Sequence, residues 1–146
     1  QAFNRKGQLP KLIQREDPAD LVAAVKTELA ANTDAGLTTA IITKTLPESQ
    51  ALTQQLKAAG VKVTLIRSEN QRLAAGTIVV PSYLAKGLEF DAIIAWQVDA
   101  ANYGSDDERQ LLYTIASRAM HRLTLLSSGT LSPLLADVPA ALYGKG

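Results

Sequence analysis

Thr77-Ile78-Val79-Val80 and Ala92-Ile93-Ile94-Ala95-Trp96 are two short apolar runs, rich in β-branched residues, that enclose Ala85-Lys86-Gly87-Leu88-Glu89-Phe90. Neither run alternates polar with apolar side chains, so each reads as a buried strand. The element between them is compact. Gly87 lets the backbone approach a ligand or take positive φ, and Lys86 and Glu89 set a cation and an anion three residues apart. Such a pair suits phosphates and hydroxyls. Taken alone, a glycine with flanking charges is a solvated turn, so its meaning depends on the chain around it.

Outward from this stretch, strand and helix signals alternate. After an irregular lead-in over residues 1–10, Lys11–Arg15 is expected as an edge strand. Asp17-Pro18-Ala19-Asp20 supplies a cap, a first-position proline and a first-turn acid, opening a helix that carries Leu21, Val22, Val25 and Leu29 and stops near Asn32–Gly36. Thr38–Thr43 reads as a strand. Thr45-Leu46-Pro47-Glu48 is in capping-box register, and the helix it opens turns Leu52, Leu56 and Ala59 inward and ends at Gly60. Val61–Ile66 reads as a third strand, residues 67–76 as a polar loop, and Thr77–Ser82 and Asp91–Gln97 as the next two strands. Ser105-x-x-Glu108 is a second capping box. It predicts a helix with Leu112, Ile115, Ala116 and Ala119 on one face and Arg118, His121 and Arg122 at its end, where the helix dipole favours cations. Leu123–Leu126 is the last expected strand, and residues 132–146 read as a tail with room for one helical turn.

Strands alternating with helices of this length imply crossover connections and a parallel sheet covered on both faces. The expected fold is a single α/β domain over residues 1–146, with three α/β/α layers and a mainly parallel sheet. Sites in such sheets lie at the carboxyl ends of the strands. Lys44, the Ser82–Glu89 turn and the Asp99–Ser105 loop are expected to gather there.

The composition narrows the chemistry. With 47% hydrophobic and 20% charged residues among 146, the chain suits one domain that buries roughly two thirds of its unfolded surface. A net charge of +1 gives no general attraction to nucleic acid, so any such contact is local. The absence of cysteine excludes disulfides and thiolate metal sites, and a single histidine, His121, argues against a histidine metal site or a Ser-His-Asp triad. No apolar run approaches the ~18 residues of a membrane span, and no signal-peptide core is present, so a cytoplasmic protein without a membrane partner is expected. The chain begins at Gln1 rather than Met, which predicts a piece of something longer.

No Gly-x-x-x-x-Gly-Lys-Ser/Thr run occurs, and no strand ends in paired acids to hold magnesium. A self-sufficient nucleotide hydrolase needs both. What the chain has is Ser117-Arg118-Ala119-Met120-His121-Arg122, a cationic cluster just ahead of a strand. An arginine held on a packed helix stabilises charge on a phosphoryl group supplied by a neighbouring domain. Other conspicuous residues have plainer readings. Trp96 is expected in the core or a domain interface, His121 at the surface, and Met120 in the core. Asp106, Asp107 and Glu108 read as helix-start charges rather than a metal site.

Taken together these residues resemble a known family. Leu84-Ala85-Lys86-Gly87-Leu88-Glu89-Phe90-Asp91 is similar to motif V of superfamily 1A helicases of the UvrD and Rep type. Asp107–Tyr113 through Ser117-Arg118-Ala119-Met120 resembles motif VI, and Ala40–Thr45 through Ser49–Leu52 resembles motif IV. The resemblance implies the second RecA-like domain, 2A, whose partner is the N-terminal RecA-like domain 1A of the same parent chain. That domain would supply the P-loop and most of the grip on ATP and Mg2+. By the same resemblance Arg118 is an arginine finger on the γ-phosphate, supported by Tyr113, and Glu89 contacts the ribose. Lys86 and Gly87 sit near the nucleotide or couple it to the nucleic-acid strand. Lys44 stands where motif IV carries an ATP-contacting arginine, and keeps the charge without the fork. Pro81-Ser82-Tyr83 replaces a Thr-x-His, so Tyr83, with Ser82 beside it, is expected to stack on a base of single-stranded DNA.

The family's 2B insertion is missing, since only Arg67–Gly76 is available for it. That short connection, with residues 81–91 and Asn102-Tyr103, looks most like the HelD branch, whose members include an RNA polymerase-associated ATPase. Three readings follow. The first is a helicase or translocase motor stepping 3′ to 5′ on single-stranded DNA. The second is a HelD-like ATPase that remodels or recycles RNA polymerase. The third is a non-catalytic nucleotide- or nucleic-acid-binding module. On the first two, residues 1–146 alone are expected to be inactive.

Overall fold

The computed structural model describes residues 11–14, 17–68, 77–85, 90–97, 107, 119–127 and 144–145. Strand β1 is Lys11–Gln14 and helix α1 is Pro18–Asp34. Strand β2 is Thr39–Thr43, helix α2 is Leu46–Ala58, and β3 is the two-residue Thr64–Leu65. Strand β4, Thr77–Pro81, runs into a 3-10 turn at Ser82–Leu84. Strands β5 (Phe90–Ala95), β6 (Ala119–Ser127) and β7 (Gly144–Lys145) complete the described elements.

Both helices start and stop where their sequences dictate. Asp17 Oδ1 accepts from Ala19 N at 2.9 Å, with Pro18 in the first turn. At α2, Thr45 Oγ1 accepts from Glu48 N and Glu48 Oε1 accepts from Thr45 N, each at 3.3 Å, so the capping box closes in both directions. Gly60, at φ 86°, ends α2. Its N–H reaches Lys57 O and that of Val61 reaches Leu56 O, the paired bonds of a Schellman ending that requires a left-handed residue. Residues 61–63 are thereby drawn into the helix ending, and the strand expected over 61–66 shortens to β3.

The described strands form one sheet in the order β3-β4-β2-β5-β6-β1-β7, and every pairing among them is parallel. Helix α1 presents Leu21, Val25 and Leu29, and α2 presents Leu52 and Leu56, to a cluster with Ile13, Ile41, Val79, Ile94, Trp96 and Leu126. Those strand residues alternate with Ile42, Ile78, Val80, Ile93, Leu123 and Leu125, which are also buried. A sheet buried on both faces is the expected three-layer arrangement. Trp96 belongs to the core, at 7% exposure.

Three expectations change. Lys11–Gln14 is not an edge strand, because Lys11 and Leu12 pair with Gly144 and Lys145 on its far side. The end of the chain therefore adds a strand to the sheet. Residues 119–122 are strand rather than the end of a helix. They extend β6 along β5, pairing Phe90 with Ala119 and Ala92 with Arg122, and ladder hydrogen bonds outweigh a helix-end charge preference. Arg122 is instead satisfied across the layer, where its Nη1 donates to Oδ1 of the buried Asn32 on α1 at 3.0 Å. Next to it, Thr124 Oγ1 donates to Glu28 Oε1 at 3.2 Å. Asp107 is helical and exposed, while the rest of the expected 105–118 helix lies outside the described residues.

Candidate functional site: two edges of one sheet

The parallel register separates the sequence-derived site residues into two groups. At the carboxyl ends of the strands, Thr43 pairs with Pro81 and Ile42 pairs with Ala95. The next residue on each strand stands at the same edge, so Ser82, Lys44 and the segment Trp96–Gln97 leave three neighbouring strands side by side. Ser82 Oγ donates to Lys44 O at 2.9 Å, and Trp96 N donates to Ile42 O at 2.9 Å. Of the expected gathering, Lys44 and Ser82 do meet here, while residues 86–89 and the Asp99–Ser105 loop lie outside the described residues. Beneath them, Thr43 Oγ1 donates to Thr45 O at 2.8 Å and lies 2.6 Å from Ser49 Oγ. Lys44 N donates to Glu48 Oε1 at 3.1 Å. The corner where β2 enters α2 is therefore held by hydrogen bonds from both sides.

Ser82 and Tyr83 face opposite ways from the 3-10 turn. Ser82 is 3% exposed, with its hydroxyl turned inward to Lys44, whereas Tyr83 is 52% exposed, the large hydrophobic left open among the described residues. Gln97, half-buried, has φ 57°. Left-handed backbone at a residue other than glycine costs energy and marks a position worth explaining. Sequence reasoning missed it, because nothing in a glutamine after an apolar run signals positive φ.

At the amino ends, Phe90 and Ala119 are register partners on β5 and β6. The residues that immediately precede them in the chain are Glu89 and Arg118. Glu89, Lys86, Gly87, Tyr113 and Arg118 all lie outside the described residues. The connection from Pro81 to Phe90 nevertheless starts at the carboxyl edge and ends at the amino edge. Its described part, the Ser82–Leu84 turn, closes with Ala85 N donating to Ser82 O at 3.1 Å.

Lys44 stands at the opposite end of the strands from the Phe90–Ala119 pair. Thr39 is level with Ala92, so Lys44 lies about seven residues up the sheet from Phe90, about 20 Å at the rise of a strand. That span exceeds the reach of one lysine side chain. Arg118 lies outside the described residues, and the part of Lys44 in the function is taken up below.

A third feature of the amino edge escaped the sequence reading. Asp91 Oδ2 accepts from Thr38 N at 3.0 Å and from Thr38 Oγ1 at 3.1 Å. A signal was available, since aspartate is depleted in strands and Asp91 opens an otherwise apolar run.

A groove of about 570 Å³ lies near the amino ends of β3 and β4, lined by Thr33, Lys57, Gly60, Lys62, Val63 and Thr77 among others. Two helix carboxyl ends meet beside it, and Lys26 Nζ donates to Ala59 O there at 3.1 Å. Lysines in this position complement helix dipoles. The described residues contain no group of three or more His, Asp or Glu side chains able to hold a metal ion, and none of their helices is long and apolar enough to cross a membrane.

Comparison with known proteins bears on this two-edged sheet. The family model of the UvrD-like helicase C-terminal domain matches residues 77–126, the stretch that holds β4, β5 and most of β6. The C-terminal domain of a possible DNA helicase from Lactobacillus plantarum WCFS1 is 57% identical, over 97% of this chain and 88% of that one, with a TM-score of 0.90. The arterivirus nonstructural protein 10, a helicase solved in complex with DNA, superposes with a TM-score of 0.59 at 13% identity, over 94% of this chain and 35% of that one. At that identity the likeness concerns the fold alone. A search of curated proteins finds no match. With an α/β fold of RecA-like type and a relative this similar over nearly its whole length, the chain belongs to the UvrD-like helicase C-terminal domain family.

Proposed function

We propose that the chain is the C-terminal motor domain of an ATP-dependent helicase or translocase, and that the two edges of its sheet serve two ligands. The observation that carries this reading is the Phe90–Ala119 pairing. Strand neighbours stand about 5 Å apart, and Glu89 and Arg118 are the residues that precede this pair in the sequence. A carboxylate suits ribose hydroxyls, and a guanidinium suits the charge that builds on a transferring phosphoryl group. ATP, when bound between this domain and the N-terminal motor domain, supplies that group. Arg118 acts as the arginine finger, Tyr113 positions it, and Glu89 holds the sugar. Mg2+ is assigned to the P-loop of the N-terminal domain, as the family resemblance implies.

The carboxyl edge takes the nucleic-acid strand. Tyr83 supplies an exposed ring for a base, since stacking on aromatic side chains is worth about 1–3 kcal/mol per base. Lys44, at the same edge, supplies charge for the backbone. Ser82 anchors the turn that presents Tyr83. Lys86 and Gly87 lie in the connection that runs from one edge to the other, so movement at the nucleotide is passed to the strand by the shortest covalent route. Domain closure on ATP and reopening after hydrolysis then advances the strand.

A second reading, a HelD-like ATPase that remodels RNA polymerase, draws on one observation. Only residues 66–76 separate β3 from the adjacent β4, too few for an inserted domain. ATPase assays on residues 1–146 and on the full-length helicase, each with and without single-stranded DNA, test the main reading. It expects turnover only in the full-length protein, stimulated by the strand. Turnover by residues 1–146 alone would refute the shared site, and a full-length protein without turnover would favour a non-catalytic module.

A further inference from the structure

The carboxyl ends of α1 and α2 come together beside the amino ends of β3 and β4, and two concavities adjoin there. The groove of about 570 Å³ is flanked by one of about 410 Å³, and Thr33, Val61, Lys62 and Thr77 line both. Together they form one trough. Its charged residues among those described are Lys26, Lys57, Lys62 and Asp34, three cations against one anion in a chain whose net charge is only +1.

The three lysines are not equivalent. Lys26 Nζ donates to Ala59 O at 3.1 Å and serves the end of α2. Other carbonyls there are bonded within the main chain, Lys57 O to Gly60 N and Leu56 O to Val61 N, and at α1 Thr33 O is bonded to Gly36 N and Asn32 O to Leu37 N. The helix ends are thus closed without the side chains of Lys57 and Lys62. Both are exposed and make no side-chain hydrogen bond or ion pair with the described residues. Thr33, Thr64 and Thr77 add hydroxyls to the same surface, donors of the kind that accompany lysine on phosphate oxygens.

What the trough lacks narrows the ligand. Its larger apolar residues, Leu29 and Val63, are buried, so it offers no exposed apolar surface to the anchors on which protein interfaces rely. No aromatic or arginine side chain lines it among the described residues. Unstacked bases would find no ring there, and carboxylates no planar fork. A duplex needs neither, because its bases stack on one another and it presents a dense row of phosphates.

We propose that this trough is a contact for the sugar-phosphate backbone of duplex nucleic acid, with Lys57 and Lys62 on its phosphates. Such contacts position a duplex without reading its sequence. Thr77 opens β4 and Tyr83 follows its end, so the contact lies about 15 Å along that strand from the Tyr83 turn. It does not depend on the ligands proposed for the two edges of the sheet.

The test is binding of a labelled blunt-ended DNA duplex and of a labelled single strand to the full-length helicase, each across a range of salt concentrations. Lys57→Gln combined with Lys62→Gln is expected to weaken duplex binding about 10-fold or more at ~0.1 M salt, for any duplex sequence, and to lower the slope of log K against log salt by about 2. Single-strand affinity is expected to stay within about 2-fold of the parent, as is duplex affinity when both lysines are replaced by arginine and the charge is kept. Lys62 lies beyond the end of α2, so Lys62→Gln alone, expected to lower the slope by about 1, remains informative if the change at Lys57 lowers Tm. A parent protein that binds no duplex, or a double variant with unchanged duplex affinity and slope, would overturn the proposal. An equal loss on the single strand would overturn the assignment to duplex. So would a poly-glutamate chain that the parent binds more tightly than the duplex through the same two lysines, which would make the trough a site for acidic protein segments.

Discussion

The hydroxyl of Ser82 is bonded to the main-chain carbonyl of Lys44 at 2.9 Å, joining the exits of β4 and β2 at one edge of the sheet. This bond turns Ser82 inward while its neighbour Tyr83 is left 52% exposed. The two residues are therefore expected to separate stability from binding. Ser82→Ala removes a buried hydrogen bond and should lower unfolding free energy by about 1–2 kcal/mol. Tyr83→Ala should leave stability nearly unchanged and weaken single-strand binding by about 1–3 kcal/mol. Denaturant titration and fluorescence anisotropy with a labelled oligonucleotide, both on the full-length helicase, measure the pair. Equal affinity in parent and Tyr83→Ala would remove the ring from the strand path.

Helix α2 contains two buried hydroxyls in contrasting situations. Ser49 Oγ lies 2.6 Å from Thr43 Oγ1, whereas Thr53 Oγ1 is buried without a hydrogen-bond partner. Losing one member of a buried pair strands the other, while replacing an unpartnered hydroxyl by a methyl removes a desolvation cost. Thr53→Val should therefore be neutral or stabilise by up to about 1 kcal/mol, and Ser49→Ala should destabilise by about 1–2 kcal/mol. Thermal unfolding of the two variants gives opposite signs if the hydroxyls differ in this way, and a destabilised Thr53→Val would contradict it.

Gln97 holds φ 57° just past β5. Glycine reaches that region without the side-chain clash that other residues meet. Gln97→Gly should consequently stabilise the fold by about 1 kcal/mol, provided that its side chain contributes less than the strain. Gly60→Ala tests the same physics in reverse. At φ 86° nothing lies within 4 Å of an added Cβ, so the cost, about 1 kcal/mol, comes from the backbone alone. Equilibrium unfolding of both variants checks the paired signs.

Much of the fold was legible because local chemistry and tertiary demand agree. Asp17, Thr45 and Glu48 form the caps that their spacing announces, and the apolar runs at 39–43, 77–81 and 90–95 become central strands. Where expectation and structure part, a non-local partner decides. Residues 119–122 carry a helix-end charge pattern, yet pairing with β5 and the Arg122–Asn32 bond make them strand. Gly144 and Lys145 have no strand signal of their own and join the sheet only because β1 offers an edge. The site followed the same rule. Lys44 and Ser82 were placed together correctly, because the parallel register brings the ends of β2 and β4 to one edge.

The central claim is that this domain completes a shared nucleotide site from the amino edge of its sheet, with Arg118 as the finger. Steady-state ATPase of the full-length helicase carrying Arg118→Ala, at saturating single-stranded DNA, measures it most directly. The expected result is a kcat lowered by about 10³-fold or more, with the fold and strand binding retained. A kcat equal to that of the parent protein would take Arg118 out of the site and contradict the account.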